Sequence, residues 1–314
     1  MSAASSARPV TAVIVTYQSA RTIGRTLAAA RRCFDAQLLD VVIVDNNSQD
    51  ATREIIGREA GWASIVLTGK NNGFGRGCNI GFAEVTSPYT IFINPDALVE
   101  PEAIRTMLVF LEKHPKIGIV GPATLCGEDD GEAVLQGAGD RTTPWTILRN
   151  AMPFLRYQSS SWEIVPGSAA SRRGWVAGAV LMIRTELMRQ LDGFDPRFFL
   201  YWEEMDLCKR AEDAGFETWA LGTALAHHVV GASSSPDDTR YAGVNIAKHY
   251  YQSRYYYMVK HHGRLAASFA EIGEFMLLLM WSLWDAARGR GLGRLRPRMQ
   301  ASLLTMPERV AVER

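Results

Sequence analysis

The chain has 314 residues, 34 of them basic and 33 acidic, for a formal net charge of +1. Its 47% apolar and 21% charged residues are globular values that exclude wholesale disorder and fibrous repeats. The near-neutral balance also excludes a dedicated nucleic-acid binder, whose phosphate contacts need a basic excess.

Residues 1–9 are Ser- and Ala-rich with no apolar core of signal-peptide length, so a disordered lead-in without an export signal is expected. Short β-branched runs then begin at Val10, Val41, Ser64, Thr90 and Ile117. Between them lie stretches that each hold one helix: Thr22 to Arg32, Ala51 to Glu59, Gly77 to Val85 and Pro101 to Lys113. This alternation is a βαβ signature and predicts a mostly parallel sheet flanked by helices over the first ~120 residues. Asp50 stands as an N-cap, and Pro101 followed by Glu102 marks a first helical turn. Residues 124–172, rich in Gly, Ser and Pro, read as an irregular excursion in the manner of a mobile lid. Order returns at Trp175 to Arg184, followed by a helix from Glu203 to Ala214 and a tyrosine-rich helical stretch from Tyr241 to His262. The expected organisation is therefore the lead-in, an α/β domain over 10–240, and a C-terminal helical segment over 241–314.

The most apolar run, Phe275 to Leu283 extended by Trp284, is about half the length needed to span a bilayer and is expected not to cross one. Arg288, Arg290, Arg294, Arg296 and Arg298 follow it, with only Asp285 to offset them. A Trp-bearing apolar helix beside basic residues fits a segment lying in the headgroup region of an anionic membrane; a helix packed on the domain with a solvated arginine tail fits as well. Cys33, Cys78, Cys126 and Cys208 are far apart and form no C-x-x-C pair, which favours free thiols in a reducing compartment.

Ligands of open α/β sheets bind at the carboxyl ends of strands, which directs attention to Asp45, Asn46, Asn94 and Asp96. Asp45, with the backbone of Thr16 and Tyr17 beside it, can accept a hydrogen bond from a nucleobase ring; Asp and Asn here also serve ordinary turn chemistry. Asn72, Gly73, Arg76 and the glycines around them resemble a dinucleotide-binding loop, but the register fails, since Gly75-x-Gly77 continues to Ile80. Glycine-rich backbone opening a helix can still approach a diphosphate, with Arg76 as its partner. Asp96, stiffened by Pro95, can supply a carboxylate oxygen to a hard divalent cation or cap a helix. Aromatic residues from Phe198 to Trp202 run straight into Glu203, Glu204 and Asp206, which core packing does not require. Glu203 and Glu204 point roughly 100° apart on a helix, so one of them can face a cleft as a general base. Asp206 has Lys209 and Arg210 as helical ion-pair partners. His228 can complete the coordination of Mn²⁺ or a similar ion; a histidine near a strand end also serves as hydrogen-bonded structure.

In order, these blocks resemble the family-2, inverting nucleotide-sugar glycosyltransferases of GT-A fold, and within them the bacterial rhamnosyltransferase branch. The residues that carry the resemblance are Val13 to Tyr17, Val44 to Ser48, Asn72-Gly73-Phe74, Asn79-Ile80-Gly81, Asn94-Pro95-Asp96, Gly178-Ala179, Tyr201 to Asp206, and His228-x-x-Gly231-x-Ser233. The resemblance implies a GT-A-type sheet, Asp45 and Thr16-Tyr17 on the nucleobase, and Asp96 and His228 on a divalent cation, Mn²⁺ or Mg²⁺. It also implies Glu204 as the base, and Trp175, Gly178 and Ala179 on the acceptor side. Asn94 departs from the family's D-x-D pattern. Glu204 stands where Asp is commoner, which leaves the choice between Glu203 and Glu204 open. The expected activity is transfer of a sugar, L-rhamnose from dTDP-rhamnose by branch resemblance, to a glycan or polyprenyl-diphosphate-linked acceptor in cell-wall or polysaccharide synthesis. Its expected location is the cytoplasm, on the inner face of the membrane. A UDP-hexose or UDP-galactofuranose donor, or an inactive nucleotide- or glycan-binding scaffold, are the alternatives.

Overall fold

The structure, a computed structural model, describes residues 8–126, 133, 134, 136–152, 161–228, 241–289, 295–299 and 301–307. Residues 1–7 of the expected lead-in lie outside these, as do Gly231 and Ser233; Arg8 is ordered, donating to Asp40 at 2.7 Å.

The first half alternates as expected. β1 (Val10–Thr16), α1 (Ile23–Asp35), β2 (Leu39–Asp45), α2 (Thr52–Glu59) and β3 (Ser64–Leu67) are followed by α3 (Phe74–Phe82) and β4 (Tyr89–Ile93). Next come β5 (Ala97–Val99), α4 (Pro101–Lys113) and β6 (Ile117–Cys126). Ala51 occupies the N-cap position of α2, and Asp50 one place earlier supplies the carboxylate, accepting from the Thr52 N–H at 3.1 Å. α3 starts three residues before the Gly77 expected from sequence. Its N-cap, Gly73, has φ +77°, and a Cβ there would sit 2.2 Å from the Phe199 carbonyl oxygen. The glycines then lie flat on β1: a Cβ on Gly77 would meet Val15 at 2.6 Å, and one on Gly81 would meet Val13 at 2.5 Å.

The expected excursion is only partly irregular. Its described residues form β7 (Ala133–Val134), β8 (Gln136–Gly139), α5 (Pro144–Asn150) and β9 (Ser161–Glu163), and then β10 (Ser171–Arg173) begins. Thr143 and Thr146 form a reciprocal capping box at the start of α5. β8 pairs with β9 and with β11 (Trp175–Val176) in a separate three-stranded sheet.

β12 (Val180–Arg184), α6 (Thr185–Gln190), α7 (Glu203–Asp213) and β13 (Glu217–His228) complete the α/β part. The main sheet runs β10-β13-β6-β12-β4-β1-β2-β3. Pairs among β1 to β4 are parallel, and β13 is parallel to β6. The insertion of β12 antiparallel between β4 and β6 makes the sheet mixed, though mostly parallel. Val180 to Ile183 are all buried, as a strand covered on both faces must be.

α8 (Tyr241–His262), α9 (Arg264–Ala287) and α10 (Arg296–Met299) follow. Phe198, Trp202, Tyr255, Tyr257 and Met258 share one buried cluster with Ile147, so the C-terminal helices pack against the entry to α7. α9 corrects the sequence expectation for the apolar run. At 24 residues it is long and apolar enough, by length and composition alone, to cross a membrane. The uninterrupted run underestimated it because Glu271 and Glu274 lie inside the helix, and both are folded against Arg254 of α8.

Candidate active site

Strand register brings the candidate residues to one edge. Thr16 is level with Asp45, Ile14 with Ile93, and Val180 of the antiparallel β12 with Ile93. The carboxyl ends of β1, β2 and β4 and the start of β12 therefore share that edge, and His228, at the end of β13, pairs with Ala97.

Asp45 is fully buried. Its Oδ1 accepts from the Thr16 hydroxyl at 3.0 Å, and its Oδ2 from the Ser48 N–H at 3.0 Å and Arg53 Nε at 2.7 Å. Burial alone would raise its pKa; the bonds from Ser48, Arg53 and Thr16 outweigh it and hold the carboxyl below its usual range. Tyr17 is exposed beside it. Asn46 donates through Nδ2 to the Gly73 carbonyl at 2.8 Å, joining the β2 end to the mouth of α3, and Asn72 donates to the Lys70 carbonyl at 3.1 Å. Arg76 is spent differently from expectation: its Nε donates to the Pro196 carbonyl at 2.7 Å, fastening α3 to the segment before α7.

Asp96 Oδ1 and His228 Nε2 lie 3.0 Å apart. Two ligands about 2.1 Å from a metal on neighbouring octahedral vertices are about 3.0 Å from each other, so the pair fits one Mg²⁺- or Mn²⁺-sized cation. Asn94 Oδ1, two residues from Asp96, is buried without a partner among the described residues. Among the described residues no group of three or more His, Cys, Asp or Glu could hold a metal.

The two glutamates at the α7 N-terminus face different neighbours. Glu203 is buried against α3, its Cβ 3.6 Å from where a Gly75 Cβ would be. Burial, then the charge of Glu204, pushes its pKa well up. Glu204 faces the Gly178–Ala179 turn: a Cβ on Gly178 would lie 3.6 Å from Glu204 Cβ and 3.7 Å from its carboxyl carbon. Burial raises its pKa to about 6, and its Oε2 has no partner among the described residues. Ala179 in turn accepts through its carbonyl from the Asn94 N–H at 2.9 Å. One turn thus joins the Glu204 side to the Asp96–His228 side. Tyr201 and Trp202, just ahead of the pair, both have left-handed φ (+68° and +72°), a strained entry that sets where α7 begins.

Asp206 is structural. It pairs with Arg210 and His261, each at 2.7 Å, and with Lys260, tying α7 to α8; Lys209, the other expected partner, pairs with Asp213 instead.

Glu204 opens on a cleft of 460 Å³ that Trp175 also lines. Its lining by Trp202, Tyr250, Arg254 and Glu274 was not foreseen. Two acids inside an apolar helix were the available signal, since such acids require a buried cation. Arg53 was missed as well, being an unremarkable exposed helix residue in sequence.

The family description "Glycosyl transferase family 2" matches residues 11–177. The chain is 26% identical over 276 residues to the N-acetylglucosaminyl-diphospho-decaprenol L-rhamnosyltransferase of Mycobacterium tuberculosis (strain ATCC 25618 / H37Rv), covering 80% of this chain and 84% of that one. It is 26% identical over 190 residues to rhamnosyltransferase WbbL of Escherichia coli (strain K12), covering 58% and 69%. Among solved structures, it resembles the mannosyltransferase PcManGT of Pyrobaculum calidifontis in complex with GDP-Man and Mn²⁺, with a TM-score of 0.56 and 15% identity over 91% of this chain and 76% of that one. It also resembles S. aureus TarS 1–349 in complex with UDP, with a TM-score of 0.51 and 15% identity over 91% and 89%. The two structures establish the fold.

Proposed function

Since the chain belongs to glycosyl transferase family 2 and is a glycosyltransferase, we propose that it moves L-rhamnose from dTDP-rhamnose to a sugar carried on a polyprenyl diphosphate, with inversion at the anomeric carbon. The observation that carries this reading is the gathering of Glu204, Asn94 and the Asp96–His228 pair around the Gly178–Ala179 turn. The sugar and the acceptor are supported by what the two rhamnosyltransferase relatives are named for.

In this reading Glu204 Oε2 takes the proton of the acceptor hydroxyl while that oxygen bonds to the anomeric carbon. The bond from that carbon to the diphosphate oxygen breaks, and its electron pair leaves with the nucleoside diphosphate. A carboxyl with a pKa of about 6 is ionised at neutral pH yet basic enough to share the proton in the transition state. Glu203 faces α3 and takes no part in that transfer. Asp45 and the backbone of Thr16 and Tyr17 hold the nucleobase; of the bonds Asp45 now accepts, the one from half-exposed Arg53 is the one a base exchanges. Asn72, Gly73 and Asn94 flank the sugar and diphosphate, and Trp175, Gly178 and Ala179 the acceptor. Asp96 and His228 would hold a divalent cation, which when bound neutralises charge on the departing diphosphate.

The protein works in the cytoplasm, lying on the membrane face where such acceptors are presented. Leu265, Phe269, Ile272, Met276, Met280 and Leu283 are exposed, and at 100° per residue they fall within about 80° of one another on α9. Trp284 and Arg288 close the stripe, the guanidinium 4.0 Å from the ring centroid. An in-plane seat is favoured over a crossing because Glu271 and Glu274 are committed to Arg254.

Purified protein given Mn²⁺, dTDP-rhamnose and an N-acetylglucosaminyl-diphospho-lipid should release dTDP in step with acceptor consumed. Binding of dTDP without turnover of any nucleotide sugar in a panel would leave a scaffold and refute transfer.

A further inference from the structure

The cleft beside Glu204 carries an unusual set of unmet hydrogen-bonding groups. Trp175 Nε1 and Trp202 Nε1 are buried indole donors with no acceptor among the described residues, and Glu204 Oε2 is a buried oxygen with no donor. Buried indole N–H groups normally find a partner, so three unmet groups on residues lining one cleft call for a ligand that supplies both acceptors and donors.

Arg254 and Glu274, which also line the cleft, add a matched pair. Arg254 donates from Nε to Glu271 at 2.8 Å, from Nη1 to Glu274 Oε1 at 2.9 Å, and from Nη2 to Glu271 Oε2 at 2.7 Å and to Glu274 Oε2. A guanidinium has five N–H groups, so one on Nη1 remains beyond these bonds, beside a carboxylate that retains acceptor capacity. The ionic balance discourages an anion: Arg254 and Arg298 are matched by Glu271 and Glu274, and Glu204 adds a further acid. A plain alkyl chain would leave both indoles unmet. What fits rings of Trp202 and Tyr250 together with alternating donors and acceptors is a pyranose, whose hydroxyls both give and take hydrogen bonds and whose C–H faces lie on aromatic rings.

We infer that Trp202 and the Arg254–Glu274 pair join Trp175 on the acceptor side of this cleft and read the hydroxyls of a pyranose. The inference rests on Glu204 being the base, and it extends the site to α8 and α9, beyond the segment the family description matches.

The test uses the full-length protein with octyl N-acetylglucosaminide as acceptor probe, dTDP-rhamnose and Mn²⁺. Trp175→Phe and Trp202→Phe keep an aromatic ring while removing the N–H together with the rest of the pyrrole ring; Glu274→Gln keeps the shape and removes the charge. Each should raise the acceptor KM about fivefold, the worth of one hydrogen bond, with the change falling on acceptor KM rather than donor KM. Thermal unfolding is recorded for each, and Trp175→Phe, away from the Arg254 cluster, is decisive if Glu274→Gln unfolds. An unchanged acceptor KM in both tryptophan variants overturns the subsite. So does equal competition by octyl phosphate or an octyl polyether. If wild-type protein turns over no donor at all, the transferase reading fails by itself; calorimetric binding of the octyl glycoside, lost in Trp175→Phe and Trp202→Phe, then still supports the pyranose cleft, and its absence in wild type refutes it.

Discussion

Replacing Glu204 by glutamine keeps the side chain's shape and removes its proton affinity, and the structure sets two opposed consequences. Loss of a general base costs about 10²–10⁴ in turnover, roughly 3–5 kcal/mol of barrier. Stability moves the other way. The carboxyl's pKa rises from 4.5 to about 6 on folding because burial disfavours its charge. A pKa raised in the folded state gives a contribution fully present below 4.5 and lost as pH climbs through 6, where the unfolded chain releases a proton that the folded one keeps. The rise from 4.5 to about 6 makes that loss about 2 kcal/mol at pH 7, and glutamine escapes it. At ~2–4 °C per kcal/mol, Glu204→Gln should melt roughly 4–8 °C higher than wild type at pH 7 and show little difference at pH 4. Glu203→Gln, at a carboxyl buried against α3, should change turnover by less than about threefold. The assay is dTDP release from pH 5 to 9 alongside calorimetric melting at pH 4 and 7. Wild-type turnover should rise with pH through an inflection near 6. Retained turnover in Glu204→Gln, or loss in Glu203→Gln instead, would move the base to Glu203. A melting difference equal at pH 4 and pH 7 would refute the burial argument.

Asp206→Asn should destabilise the fold without changing acceptor or donor KM in the protein that remains folded. Burial opposes its charge, but His261, Arg210 and Lys260 bring its pKa down to about 2, so its contribution of roughly 2 kcal/mol is present above 3.8 and is lost as pH falls through 2. Urea melts at pH 7 and pH 2.5 should show a wild-type advantage that shrinks at the lower pH. Asp96→Ala and His228→Ala should each abolish the Mn²⁺-dependent part of dTDP-rhamnose affinity in isothermal titration; titrations identical to wild type with and without Mn²⁺ would exclude the pair as the cation site. Exchanging Phe269, Met276 and Leu283 together for serine should leave the Arg254 cluster intact and lower sedimentation with anionic liposomes at least tenfold, a loss of ~1.4 kcal/mol or more. Undiminished sedimentation would assign the stripe to another partner.

Much of this molecule follows from local sequence. β-branched runs such as Val10–Thr16 and Leu39–Asp45 read as strands covered on both faces, and Pro101 with Glu102 starts a helix by its own geometry. The tyrosine-rich helix Tyr241–His262 was likewise readable, because its boundaries are local events. Strand ends mark Asp45, Asn94 and Asp96 for the same reason. Tertiary structure alone decided the pairings between distant segments. Nothing near Val180 announces that β12 will enter antiparallel between β4 and β6, since a buried strand looks the same in either direction. Nor does a pair of adjacent glutamates reveal which faces a cleft; that depended on Gly75 of α3 receiving Glu203 and on the Gly178 turn leaving room for Glu204. Asp96 met His228 only through the pairing of β5 with β13. The buried charges of α9 were visible as letters, but their cation came from α8, because the cost of burying a charge is met by whichever opposite charge the fold brings within reach.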